Sequence, residues 1–308
     1  MFGIFRQCCA VALLSMSAAS MAQNVEIRGP VVIPENLTSS ADGTLYIASY
    51  GRGGIYRAAP GEATASLWIA PGTAINRTMG LWADDARNRL WVCDSAAKPG
   101  AADAANAGAV KSLELSSGRL VASYGMAGGG ACNDLTLAAD GTLYITDMAG
   151  RILRIGAGDD RMTSWKEDPL LEGADGLALL ADGRLYVNSF RSGKLLAIAI
   201  NADGSAGAIT EIATDRPLAQ PDGMRQVGPQ RMLTVEAGGN LTEITVSGDS
   251  AAIRTVRDGL SEPAGVTLAG GTAYVSSGGW AALRDPAADS GVYTVTAIPY
   301  SATNEAGK

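Results

Sequence analysis

Glu35, Asn133, Asp175 and Asp222 occupy one slot of a repeated block, eleven residues ahead of an aromatic or aliphatic marker. The blocks cover 34–49, 79–95, 132–147, 174–189, 221–236 and 263–277, with markers Tyr46, Trp91, Tyr144, Tyr186, Leu233 and Tyr274. In the other two copies the slot holds Gly80 and, after a one-residue deletion, Ala264. If the repeats surround an axis, the four polar residues converge as three carboxylates and one amide carbonyl. Carboxylates crowded together repel unless a cation neutralises them or some hold protons. An all-oxygen set suits a hard cation, and a mixed carboxylate/amide set suits Ca²⁺ best, with Mg²⁺, Mn²⁺ or Zn²⁺ compatible. Asn and Asp also begin strands simply as turn formers, but that does not account for Glu35 in the same slot. A second polar set lies three residues beyond the markers: Ser49, Asp94, Asp147, Ser189, Glu236 and Ser277. It is expected to border the first across each hairpin.

The chain of 308 residues contains no histidine. That removes Ser-His-Asp and Cys-His catalysis, His-bound zinc, and any lyase or lactonase built on a histidine base. Proton transfer falls to carboxylates, Lys, Tyr or metal-bound water.

These residues must be positioned by short strands. Each block is an apolar-rich run, a turn (often Asp-Gly) and a second run centred on its marker. The markers are 45, 53, 42, 47 and 41 residues apart, a period that marks a propeller rather than a helical solenoid. The intervening residues supply further strands, for example 54–58, 65–70, 194–200 and 208–213. Only one clear strand, 292–298, follows the sixth block, and 25–32 precedes the first. The expectation is an all-β, six-bladed β-propeller of four-stranded antiparallel blades, the last closed by the N-terminal strand. No convincing helical period is present after the N-terminal segment. Two connections run long, 95–108 and 278–290, on the face where the slot residues lie. Trp280 and Arg284 in the second are candidate ligand contacts.

Residues 1–22 read as a secretory signal, with Arg6, an apolar core and a small-x-small site at Ser20-Met21-Ala22. Residues 23–308 then form one domain, exported to a periplasm or secreted. The net charge is −7 with no basic cluster, so nucleic acid and anionic membranes are not expected partners and a small-molecule substrate is. Cys8 and Cys9 fall within the signal. Cys93 and Cys132 end and begin adjacent blocks and either pair or remain buried thiols.

Four tripeptides, in order and in one register, resemble the senescence-marker-protein, gluconolactonase and luciferin-regenerating-enzyme family. They are Pro34-Glu35-Asn36, Asn133-Asp134-Leu135, Asp175-Gly176-Leu177 and Pro221-Asp222-Gly223. The resemblance implies a six-bladed propeller with one divalent metal in its channel. It implies metal ligation by Glu35, Asp175 and Asp222, metal or substrate binding by Asn133, and a general-base role for Asp222. Asp175 stands where the family usually has Asn. Ala131 stands where sugar-lactonase members carry Arg, which removes a partner for a polyhydroxylated ring. The expected activity is metal-dependent lactone hydrolysis. Two alternatives are a calcium-stabilised propeller that binds a small molecule or protein without catalysis, and a strictosidine-synthase-like enzyme using a catalytic Glu without metal.

Overall fold

Three blocks turn in the same way, and the reason is local. Asp42, Asp140 and Asp182 each accept a hydrogen bond at Oδ1 from the backbone N–H two residues on, at 2.9, 2.8 and 3.1 Å. The intervening glycines, such as Gly141 at φ 97°, adopt the left-handed conformation the turn requires. Alternating apolar runs on either side then pair as hairpins.

The computed structural model describes residues 22–72, 74–95, 108–126 and 129–301. The expected signal segment (apart from Ala22), Cys8 and Cys9, and most of the 95–108 connection lie outside the described residues. Strand β1 is Val25–Arg28. Then come β2 to β5 (Leu37–Ser39, Leu45–Ala48, Ile55–Ala58, Thr64–Ile69) and β6 to β9 (Arg77–Asp84, Arg89–Ser95, Ala109–Glu114, Leu120–Gly125). Next are β10 to β13 (Cys132–Leu137, Leu143–Asp147, Ala149–Ile155, Thr163–Glu172) and β14 to β17 (Ala174–Leu179, Arg184–Ser189, Leu195–Ile200, Ala206–Thr214). The chain ends with β18 to β21 (Pro221–Gly228, Arg231–Glu236, Asn240–Ser247, Ser250–Arg257) and β22 to β24 (Pro263–Ala269, Thr272–Ser277, Val292–Pro299).

Consecutive strands pair antiparallel within each group, and β1 pairs antiparallel with β24, Val25 opposite Val295. The early strand therefore completes the last group, as the strand count predicts. Short parallel pairings, β1 with β5 and β17 with β21, fuse two pairs of groups. Among the described residues the hydrogen-bonded sheets consequently number four, two of four strands and two of eight, rather than six separate units. The all-β arrangement fits a β-propeller. The leading strands touch in cyclic order, β2 to β6, β10, β14, β18, β22 and back to β2. Inner strands such as β3 and β10 are almost wholly buried, whereas the fourth strands β5, β9 and β13 alternate with solvent. One element departs from the sequence reading. A five-residue helix α1 (Trp280–Arg284) lies in the β23–β24 connection.

Tight contact between leading strands depends on glycine. A Cβ on Gly176 would lie 2.6 Å from the Asp222 carbonyl and the Met224 nitrogen. One on Gly265 would lie 2.8 Å from the Asn36 Cα. Neither backbone can withdraw, so these close approaches exclude any side chain.

Candidate metal centre

Three of the four site residues are aimed by a bulge. In the pairs β10–β11, β14–β15 and β18–β19 the register slips by one residue between Cys132 and Leu135, Ala174 and Leu177, and Pro221 and Met224. The extra residue falls where Asn133, Asp175 and Asp222 stand, and a bulge turns a side chain out of its alternating course. A kink precedes it. Ile33, Gly173 and Gln220, two residues ahead of Glu35, Asp175 and Asp222, have φ of 52°, 75° and 50°. For β-branched Ile33 this is a strained conformation. It is held because the carbonyls of Ile33, Gly173 and Gln220 accept hydrogen bonds from Tyr50, Phe190 and Ala237 N–H groups at 3.0, 2.9 and 3.1 Å.

Glu35, Asn133, Asp175 and Asp222 thus face one cavity of about 490 Å³. All four are buried, Glu35 at 3% exposure. Asp175 donates a hydrogen bond to Asp222, whose Oδ1 also accepts from Gly223 N at 2.9 Å. Burial, then the Asp222 and Glu35 charges, raise the Asp175 carboxyl well above the carboxylate range. Burial, then Asp222 and Asp134, do the same to Glu35. Burial raises Asp222 to about 7, against the opposing hydrogen bonds from Asp175 and Gly223.

The donor set fits a hard cation. Glu35 Oε2 is buried without a hydrogen-bond partner, and an orphaned carboxylate oxygen is costly. Among the described residues, no three His, Cys, Asp or Glu side chains are drawn together tightly enough to hold an ion as they stand. Ligation would draw the carboxylates closer together.

A fastening between neighbours accompanies each of the four cavity residues, and sequence reasoning missed it. Two residues past the preceding marker stand Ser276, Cys93, Thr146 and Asn188. Ser276 Oγ donates to the Glu35 carbonyl at 3.3 Å, Thr146 Oγ1 to the Asp175 carbonyl at 2.6 Å, and Asn188 Nδ2 to the Asp222 carbonyl at 2.8 Å. Cys93 forms a disulfide with Cys132, the residue before Asn133. Ahead of Gly80 and Ala264, which bring no ligand, the same position holds Ala48 and Val235. The signal was readable by aligning this slot against the first.

Arg225 was also missed. It is buried beneath the carboxylates and bridges leading strands, donating to Asp134 Oδ2 at 2.8 Å, Asn36 Oδ1 at 3.2 Å and the Leu81 carbonyl at 2.9 Å. Its guanidinium stands 5.5 Å from the Trp82 ring centroid. Opposite the other markers stand Thr38, Trp82, Thr136, Ala178 and Thr267, and only Arg225 carries a charge.

The second polar set does not reach the cavity. Ser49 Oγ donates to the Val32 carbonyl at 2.6 Å, and Ser189 Oγ to the Glu172 carbonyl at 2.9 Å. Asp94 binds Lys111 Nζ at 2.7 Å, Asp147 accepts from Arg151 Nε at 3.0 Å, and Glu236 takes Arg216 Nη2 at 2.7 Å. Ser277 faces a separate cavity. Side chains alternate across a strand, so the residues one further on, Tyr50, Met148, Phe190 and Ala237, line the site instead. Trp280 and Arg284 line it too, brought there by α1.

No family model matches the chain, and no curated protein matches it. Solved structures do match its fold. A gluconolactonase from Xanthomonas campestris superposes at TM-score 0.63 with 15% identity, covering 88% of each chain. A luciferin-regenerating enzyme does so at 0.64 and 14%, covering 90% of this chain and 98% of its own. The virginiamycin B lyase of Staphylococcus aureus gives 0.61 and 18%, covering 83% and 82%. A histidine-to-alanine variant of that lyase, described as catalytically inactive, also matches. At these identities the likeness is one of fold, and it includes the enzymes that the four tripeptides resemble.

Proposed function

We propose that the chain is an exported metal-dependent lactonase on a six-bladed propeller, each four-strand group being one blade. The observation that carries the reading is the convergence of three buried carboxylates and an amide on one cavity, in a chain without histidine. Glu35, Asn133, Asp175 and Asp222 would hold the ion, Ca²⁺ by donor type. When bound, the ion supplies charge for the oxyanion that forms on the lactone carbonyl. Asn133 orients the substrate through its amide. Asp222, fixed by Gly223 N–H, takes a proton from the attacking water. The ring C–O bond then opens and the proton passes to the departing oxygen, leaving a hydroxy acid and an ionised Asp222. Gluconolactonase among the fold relatives supports the reaction class. The disulfide supports export to an oxidising compartment.

A lyase activity like that of the virginiamycin B enzyme has less support, because the histidine-to-alanine variant of that enzyme is catalytically inactive and this chain has no histidine. Lactone hydrolysis should be lost on chelation and restored by Ca²⁺, and Asp222→Asn should lower kcat at least about 100-fold. Unchanged hydrolysis in both experiments rejects the mechanism. Chelation that lowers the melting temperature, with no turnover across a lactone and ester panel, would indicate a structural calcium site instead.

A further inference from the structure

The central cavity is polar at its floor and apolar on its walls. Above the four oxygen donors stand Tyr50, Met79, Met148, Phe190, Trp280 and Leu283. Tyr50 is fixed in place. Trp280 meets it edge-on at 5.8 Å, and the Arg77 guanidinium lies 3.8 Å from its ring centroid. Leu283 is 42% exposed at the mouth. Beyond the floor, the charged side chains among the described lining residues are Glu262 and Arg284.

A polyhydroxylated ring would lose water from each hydroxyl here and recover few hydrogen bonds. An alkyl or aryl arm would cover apolar surface that is otherwise wet. The volume is that of a site for a small organic molecule. We propose that the natural substrate is a lactone carrying an apolar arm, a medium-length alkyl chain or an aryl group, rather than a sugar lactone. The carbonyl end faces the carboxylate floor and the arm lies against Trp280, Leu283 and Phe190. This inference rests on the lactonase reading.

The full chain, saturated with Ca²⁺, is assayed on γ-lactones with side chains from methyl to octyl and on glucono-δ-lactone. kcat/KM should rise about fourfold per methylene until the cavity is filled, and the octyl lactone should exceed gluconolactone. Leu283→Asp, at an exposed position that leaves the fold intact, and Trp280→Ala should flatten that slope. Lactams bearing the same side chains resist hydrolysis, so their binding, followed by tryptophan fluorescence, reads the walls alone. If the lactams bind with rising affinity but no lactone is turned over, the walls bind as proposed and the lactonase reading fails. If lactones are hydrolysed with a flat slope, or gluconolactone is preferred, the lactonase reading stands and the apolar-substrate proposal is overturned.

Discussion

Arg225 shows how much one side chain holds in this protein. It reaches from β18 to groups on β2, β6 and β10, and neutralises Asp134 where no solvent can. Arg225→Leu leaves that carboxylate buried and unpaired, so urea unfolding should show a loss of about 3–5 kcal/mol. A loss under 1 kcal/mol would mean that Asp134 finds another partner. The ligand carboxylates act in the opposite sense on stability. Folding raises Asp222 from its usual range to about 7, and raises Glu35 and Asp175 as well. The native state therefore binds more protons than the unfolded chain between about pH 4 and 7. These three groups should make chelated protein lose stability as pH rises through that window. Saturating Ca²⁺ should remove the decline, and proton release should accompany its binding. Chelated protein that melts higher at pH 8 than at pH 5 would contradict these carboxyl assignments.

At the scale of elements, three recurrent features build the site: a left-handed kink, a one-residue bulge and a clasp from the preceding hairpin, all of which meet at Asp175 and Asp222. At Glu35, Asp175 and Asp222 the clasp holds the backbone carbonyl. Asn188 donates to the Asp222 carbonyl and also accepts from Gly176 N at 2.9 Å. Asn188→Leu should weaken Ca²⁺ binding about 10–100-fold in calorimetric titration. Val235→Ala, at the equivalent point ahead of Ala264, should cost stability without changing metal affinity. Equal effects of the two would show that the clasp is only packing. Much of this scale was legible in the sequence, because hairpin turns and slot spacing are local. Strands β4, β5, β16 and β17 fall within about two residues of their predicted bounds, and Glu35, Asn133, Asp175 and Asp222 line one cavity. What escaped was the inward face. Side chains alternate across a strand, so Tyr50, Met148 and Phe190 line the cavity while Ser49, Asp147 and Ser189 bind neighbouring segments. Arg225 escaped because its partners lie 91 to 189 residues away.

For the whole molecule, closure is the governing constraint. β1 completes the last group against β24, and the leading strands then meet around the ring. Within that ring the contact between the second and third groups differs from the others. It is covalent, joining Cys93 on β7 to Cys132 on β10 beside Asn133. Where Ser276, Thr146 and Asn188 fasten by hydrogen bonds that form with the fold itself, this fastening waits on an oxidant. Reduction by dithiothreitol under native conditions should leave the strands intact by circular dichroism and lower Ca²⁺ affinity about tenfold or more. Unaltered affinity after full reduction would show that Asn133 is held without it. If the four residues do hold an ion, three of them would be fastened by folding alone and Asn133 only after an oxidant has acted. On that reading a newly made chain kept reduced would be folded yet incompetent, and its competence would depend on where it comes to rest.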